Sequence, residues 1–128
     1  MNKYIFFSIL VICQYIMDRS TSTCTNEYGN KDGEILLFIH HIFAVYLYFG
    51  SLFFDPFIHL IVATSTIIHW FTYNKCILTE YTNILCGNDI DMPFNDYIRM
   101  LKIYKFVPKI HWVILFILIF YDLCLIID

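Results

Sequence analysis

Charge is what this chain has least of. Only 15% of its 128 residues are charged, while 59% are hydrophobic; a soluble domain carries about 25% charged residues. The surplus apolar surface needs a medium to face, and a lipid bilayer is the simple one. Net charge is −3, so no basic surplus points to nucleic acid, and no nucleic-acid motif is present. No C-x-x-C pair occurs, which argues against a thiol oxidoreductase of that type. Neither HExxH nor EF-hand spacing appears, and no N-x-Ser/Thr sequon is found. Glycine (4) and proline (3) are few, so little interrupts the long apolar runs. There is no internal repeat, and the length fits one domain.

Four apolar runs fill most of the chain: residues 4–17, 35–54, 57–75 and 110–127. A spanning helix needs ~20 apolar residues. The second, third and fourth runs suit that length. The first is short and leaves two readings open: a first transmembrane helix, or a cleaved signal peptide with Lys3 before it and small residues from Ser20 to Ser22 after it. Asp55-Pro56 supplies an N-cap and a first helical residue at once, so runs two and three must form an antiparallel hairpin. The expected fold is an all-α, multi-pass transmembrane bundle of four helices, or three if the first run is removed. Ala44, Gly50 and Ser51 facing Ala63, Thr64, Ser65 and Thr66 would allow close helix approach.

The long loop adds an amphipathic segment at residues 94–106. Phe94, Tyr97, Ile98, Leu101 and Tyr104 fall on one helical face; Arg99, Lys102 and Lys105 fall opposite. Pro93 and Pro108 suit its ends. This pattern predicts an interfacial helix whose basic side meets anionic lipid headgroups. With four spans, both loops share one side and hold seven of the eight Lys and Arg, so the positive-inside rule places the long basic loop in the cytoplasm. There Cys24, Cys76 and Cys86 would stay free; on an oxidising side, a Cys76–Cys86 disulfide is conceivable.

Few polar groups remain to carry chemistry. His40, His41, His69 and His111 fall at a similar depth near the loop side, where imidazoles from three helices could hold a haem or a metal. An interfacial layer is the favoured explanation, because His69-Trp70 and His111-Trp112 repeat a pair suited to the membrane surface. His69, Tyr73, Cys76 and Glu80 share one face if a helix continues past Lys75, but His69 and Glu80 would then stand ~16 Å apart, too far for one site. At the opposite surface, His59 and Asp122 share a leaflet, and Asp122 is expected to face inward.

His59-Leu60, followed after 17 positions by Cys76-Ile77-Leu78-Thr79, resembles small bacterial integral membrane proteins of a domain of unknown function. In those a His-Leu transmembrane helix leads to a Cys-Pro-Leu-Thr motif and a Glu. Ile77 stands where that family has Pro, and Glu80 falls earlier than the family's acidic position, here Thr82. The resemblance implies a three- to four-helix membrane protein without assigned activity. It marks His59, Leu60, Cys76, Leu78 and Thr79. With no complete catalytic set, the expected role is non-enzymatic, through packing and contact with a membrane partner or a second copy. A histidine-based haem or metal redox protein and a small transporter or proton path through His59 and Asp122 are the alternatives.

Overall fold

The computed structural model of the protein describes residues 2–21, 31–102, 105 and 109–128. Among the described residues there are six helices and no strand: α1 Lys3–Thr21, α2 Lys31–Phe53, α3 Pro56–Tyr73, α4 Ile77–Cys86, α5 Tyr97–Met100 and α6 Ile110–Ile127. The α2–α3 turn forms as its chemistry requires. The Asp55 carboxylate accepts from the backbone N–H groups of Phe57 (2.9 Å) and Ile58 (3.1 Å), and Pro56 occupies the first helical turn. α3 ends where Asn74 turns left-handed at φ 57° and its N–H bonds the Trp70 carbonyl.

α2 lies at the centre, touched by α1, α3, α4 and α6, and α3 packs on α6. α1 runs antiparallel to α2: Tyr4 meets Phe54 at one end, and Arg19 pairs with Glu34 at 2.8 Å at the other. α3 and α6 are likewise antiparallel, with His59 opposite Asp122 and Trp70 opposite Trp112. One end of the bundle therefore carries the α2–α3 turn and the chain's C-terminus. The other carries α4, α5 and the intervening loop.

Polarity is distributed inside out. The small apolar core is Leu47, Ala63 and Leu115. Around it lie buried Gln14, Asp18, His40, His41, Ser51, His59 and Asp122. Large apolar side chains point outward instead, among them Ile5, Ile9, Ile12 and Ile16 on α1, Ile58, Ile61 and Ile68 on α3, and Phe116, Ile117 and Phe120 on α6. Among the described residues two helices, α2 and α6, are long and apolar enough to cross a membrane.

The structure departs from the sequence pattern at four places. α1 runs on to Thr21, beyond the apolar run ending at residue 17, because Asp18 and Arg19 find partners on α2. Residues 77–86, expected as loop, form α4. It buries Thr82, Asn83 and Cys86 on one face and comes so close to α2 that a Cβ on Gly33 would meet Cys86 Sγ at 3.1 Å. The helix expected over 94–106 is only α5: Asp96 caps it late by accepting from Arg99 N, and Lys102 is left-handed at φ 57°. Finally, Cys86 is disulfide-bonded rather than free. Cys76 is a free thiol, which rules out the Cys76–Cys86 bond. Cys24 lies outside the described residues.

Gly50 fixes how closely α2 and α3 approach, since a Cβ there would lie 2.5 Å from Cδ2 of the His59 ring. That ring is held by hydrogen bonds and cannot swing aside. Gly50→Ala is expected to destabilise the bundle by about 1–3 kcal/mol, the usual cost of overpacking, read as a lowered thermal midpoint in detergent.

Candidate functional site

Two structural systems compete for the description of a site: a set of buried histidine networks, and a cavity at the loop end.

The first network joins α1 to α2. The Gln14 amide donates to His41 Nδ1 (3.0 Å), which leaves His41 Nε2–H to donate to Asp18 Oδ2 (3.1 Å). The Gln14 carbonyl oxygen accepts from Tyr97 N at 3.3 Å, and the Tyr97 hydroxyl donates to the Leu10 carbonyl at 2.6 Å. The loop segment at residues 94–97 thus does not lie flat on a surface. It descends between α1 and α2, where Phe94 stacks on His40 with ring centroids 3.7 Å apart and Tyr97 meets Phe49 edge-on. Burial pushes the Tyr97 phenol above its ordinary range.

A second network centres on Tyr48. Its hydroxyl donates to Asp96 Oδ2 (3.1 Å), so its oxygen accepts from His111 Nδ1–H at 2.5 Å. Asp96 Oδ1 accepts from Arg99 N. α2, α5 and α6 meet through these three side chains.

The third lies toward the opposite end. His59 Nε2–H donates to the Leu47 carbonyl (3.1 Å), which leaves Nδ1 against Asp122 Oδ2 at 2.5 Å, with Ser51 Oγ 2.9 Å away. One proton must lie between ring and carboxyl: either an imidazolium donates to a carboxylate, or a carboxylic acid donates to a neutral ring. Both side chains are fully buried, and Asp122 Oδ1 has no partner.

The four imidazoles expected to form one layer therefore separate. His41 bonds Gln14 and Asp18 of α1, His111 bonds Tyr48 beside Asp96, His40 stacks on Phe94, and His69 lies beside Tyr73 with its Nε2 buried and unbonded. Among the described residues no three His, Cys, Asp or Glu side chains are arranged to hold a metal ion. The stripe from His69 through Tyr73 and Cys76 to Glu80 is broken at Asn74. Glu80 pairs instead with Lys75 at 3.1 Å.

No protein-family model, curated protein or solved structure matches the chain. The positions marked by resemblance are spread over the molecule. His59 and Leu60 begin α3 at one end, while Cys76 is the N-cap residue of α4 at the other, with Leu78 and Thr79 in the first turn of that helix.

The loop end holds a cavity of about 400 Å³. Cys76, Thr79 and Glu80 line it from α4, His40, Phe43 and Tyr48 from α2, and Trp70, His111 and Trp112 from the ends of α3 and α6. Arg99, expected to face lipid headgroups, also lines it. Lys102 and Lys105 are exposed. The participants invisible to sequence reasoning are Tyr48 and Asp96, 48 positions apart. Asp18 was findable, because it falls four residues after Gln14 on one helical face.

Cutting the third network from one side should cost far more than removing it whole. Asp122→Ala is expected to lose about 3–5 kcal/mol by stranding His59, while a double change of His59 and Asp122 to Leu should lose clearly less. A double-mutant cycle of unfolding in detergent measures the difference.

Proposed function

We propose that the protein is a four-span integral membrane protein that works by binding rather than by catalysis, with its functional surface at the loop end. The observation that carries this reading is the inverted polarity of the bundle. Isoleucines and phenylalanines cover its outside, while carboxylates, imidazoles and an amide fill its inside. In water that arrangement would be unstable, whereas in lipid it is what the solvent asks for.

α2 and α6 meet the length and hydropathy of a span directly. α3 carries more polar residues, but its hydroxyls are satisfied by the helix's own backbone. Ser65, Thr66 and Thr72 donate to the carbonyls of Ile61, Val62 and Ile68, each at 2.8 Å, and His59 is enclosed. α1 has 19 residues, close to the ~20 a span needs, and its buried Gln14 and Asp18 bond α2. These contacts favour α1 as a working part of the mature bundle over a discarded signal.

The loop end faces an oxidising compartment in this reading. The charge distribution favours the cytoplasm for that side, but the Cys86 disulfide favours the opposite. A covalent bond between thiols does not persist against a reducing cytosol, whereas charge bias orients chains only on average. Lys3, the first residue of α1, then marks the cytoplasmic side.

The binding role follows from what the polar groups do. The carboxylates Asp18, Asp96 and Asp122 and their histidines are occupied with each other, which supports a scaffold in preference to a reaction centre. His59 and Asp122 are fully enclosed, so they are read as a clasp between α3 and α6 and not as a proton path.

In sealed membranes the protein is expected to resist alkaline carbonate extraction, and a membrane-impermeant maleimide added outside should label Cys76. Cys86 should react only after reduction. Reaction of Cys86 without reductant, and only after permeabilisation, would return the loop end to the cytoplasm.

A further inference from the structure

The loop-end cavity has features that packing alone does not explain. Its inner wall is apolar, with Phe43, Leu47, Trp70 and Trp112. In that wall His40 is only 5% exposed, and its Nδ1 makes no hydrogen bond. A buried ring nitrogen without a partner is costly, and a molecule in the cavity would remove that cost. The rim differs in character. Lys75 and Glu80 neutralise each other there. Lys109 and Asp91 are exposed, and neither side chain has a partner among the described residues. The open cavity thus offers one unmatched cation and one unmatched anion above an apolar chamber. Trp70 and Trp112, side chains that favour the membrane–water interface, set its depth near the lipid headgroups. At about 400 Å³ it has the volume of a small-molecule site.

We propose that this cavity binds a zwitterionic phospholipid. Charge complementarity selects the head: the phosphate goes to Lys109 and the ammonium to Asp91. The glycerol ester region meets His40, whose Nδ1–H tautomer donates to an ester carbonyl, and the first methylenes of the chains lie along the two tryptophans. A purely anionic lipid would satisfy Lys109 but leave Asp91 unmatched and set its charge against that carboxylate. The proposal rests on the membrane reading above.

Cys76 reports on the cavity because it is a free thiol in its wall, while Cys13 and Cys124 are free and exposed on the outer surface. Full-length protein, purified in maltoside and freed of lipid, is alkylated with N-ethylmaleimide, and the rate at each cysteine is followed by peptide mass spectrometry. Short-chain dihexanoyl phosphatidylcholine is expected to slow Cys76 alone, by roughly tenfold at a concentration about ten times its Kd. Dihexanoyl phosphatidylglycerol and chain-free glycerophosphocholine should give little protection. Asp91→Asn, a surface change, should weaken protection by the choline lipid and admit the glycerol lipid. Equal protection by both lipids, protection by glycerophosphocholine alone, or an unchanged Asp91→Asn profile would each overturn the assignment. Absence of any protection in protein that resists carbonate extraction would overturn the site while leaving the membrane reading intact. Extraction by carbonate would mark failure of that reading itself.

Discussion

On the membrane reading proposed above, the buried polar groups of this bundle are joined to one another inside the protein, and the rest of the structure depends on that constraint. A bilayer offers no water to an unpaired N–H or carboxylate, and it offers helices no hydrophobic reason to associate, because lipid tails are as apolar as leucine. Polar contacts and close backbone approach must then do the joining. The His59–Asp122 pair shows both at once. It ties α3 to α6, borrows the Leu47 carbonyl and Ser51 hydroxyl of α2, and fits only because Gly50 leaves the ring its space.

The same logic repeats at different interfaces. Gln14, Asp18 and His41 join α1 to α2, and Tyr48, Asp96 and His111 join α2 to α5 and α6. The long helices that these sets join have outer faces rich in isoleucine, leucine and phenylalanine. Apolar packing would leave the register between such helices weakly defined, since one turn of slip exchanges one aliphatic contact for another. A histidine that must meet one carboxylate allows a single register. Buried polar pairs of this kind often add little net stability; here their contribution is to specificity of arrangement, as with a buried polar residue that sets the register of a coiled coil.

Much of this was legible in the sequence, and the boundary of legibility has a physical cause. The four long helices announce themselves by unbroken apolar runs, and Asp55-Pro56 gives the hairpin turn by its capping chemistry. The inward direction of Asp122 follows from the cost of a carboxyl in lipid. The pairings did not follow. Tyr48 and Asp96 are 48 positions apart, and nothing local ties an aromatic residue in a helix to an aspartate in a loop. The histidine layer misled because depth is only one coordinate. Residues at one level of a bundle can face different neighbours, and rotation about the helix axis decides which. The loop helix misled for a related reason: its amphipathic spacing is real, but Asp96 and Tyr97 are drawn into the bundle by His111, Tyr48, Gln14 and the Leu10 carbonyl, which leaves α5 one short turn.

That inward pull is also what makes the cavity. A loop lying flat on the bilayer would have closed the bundle end with its aromatic face. Instead Phe94 is wedged onto His40, and Asp96 is held by Tyr48, so the segment between α4 and α5 forms a wall and not a lid. α4 forms the facing wall, held on α2 by the close contact at Gly33. Each wall is therefore fixed by contacts between helices and loop that form without any bound molecule. His40, Tyr48, Phe94 and Asp96 hold one another in place as they line it, and a site whose shape is set in advance can bind without first ordering itself.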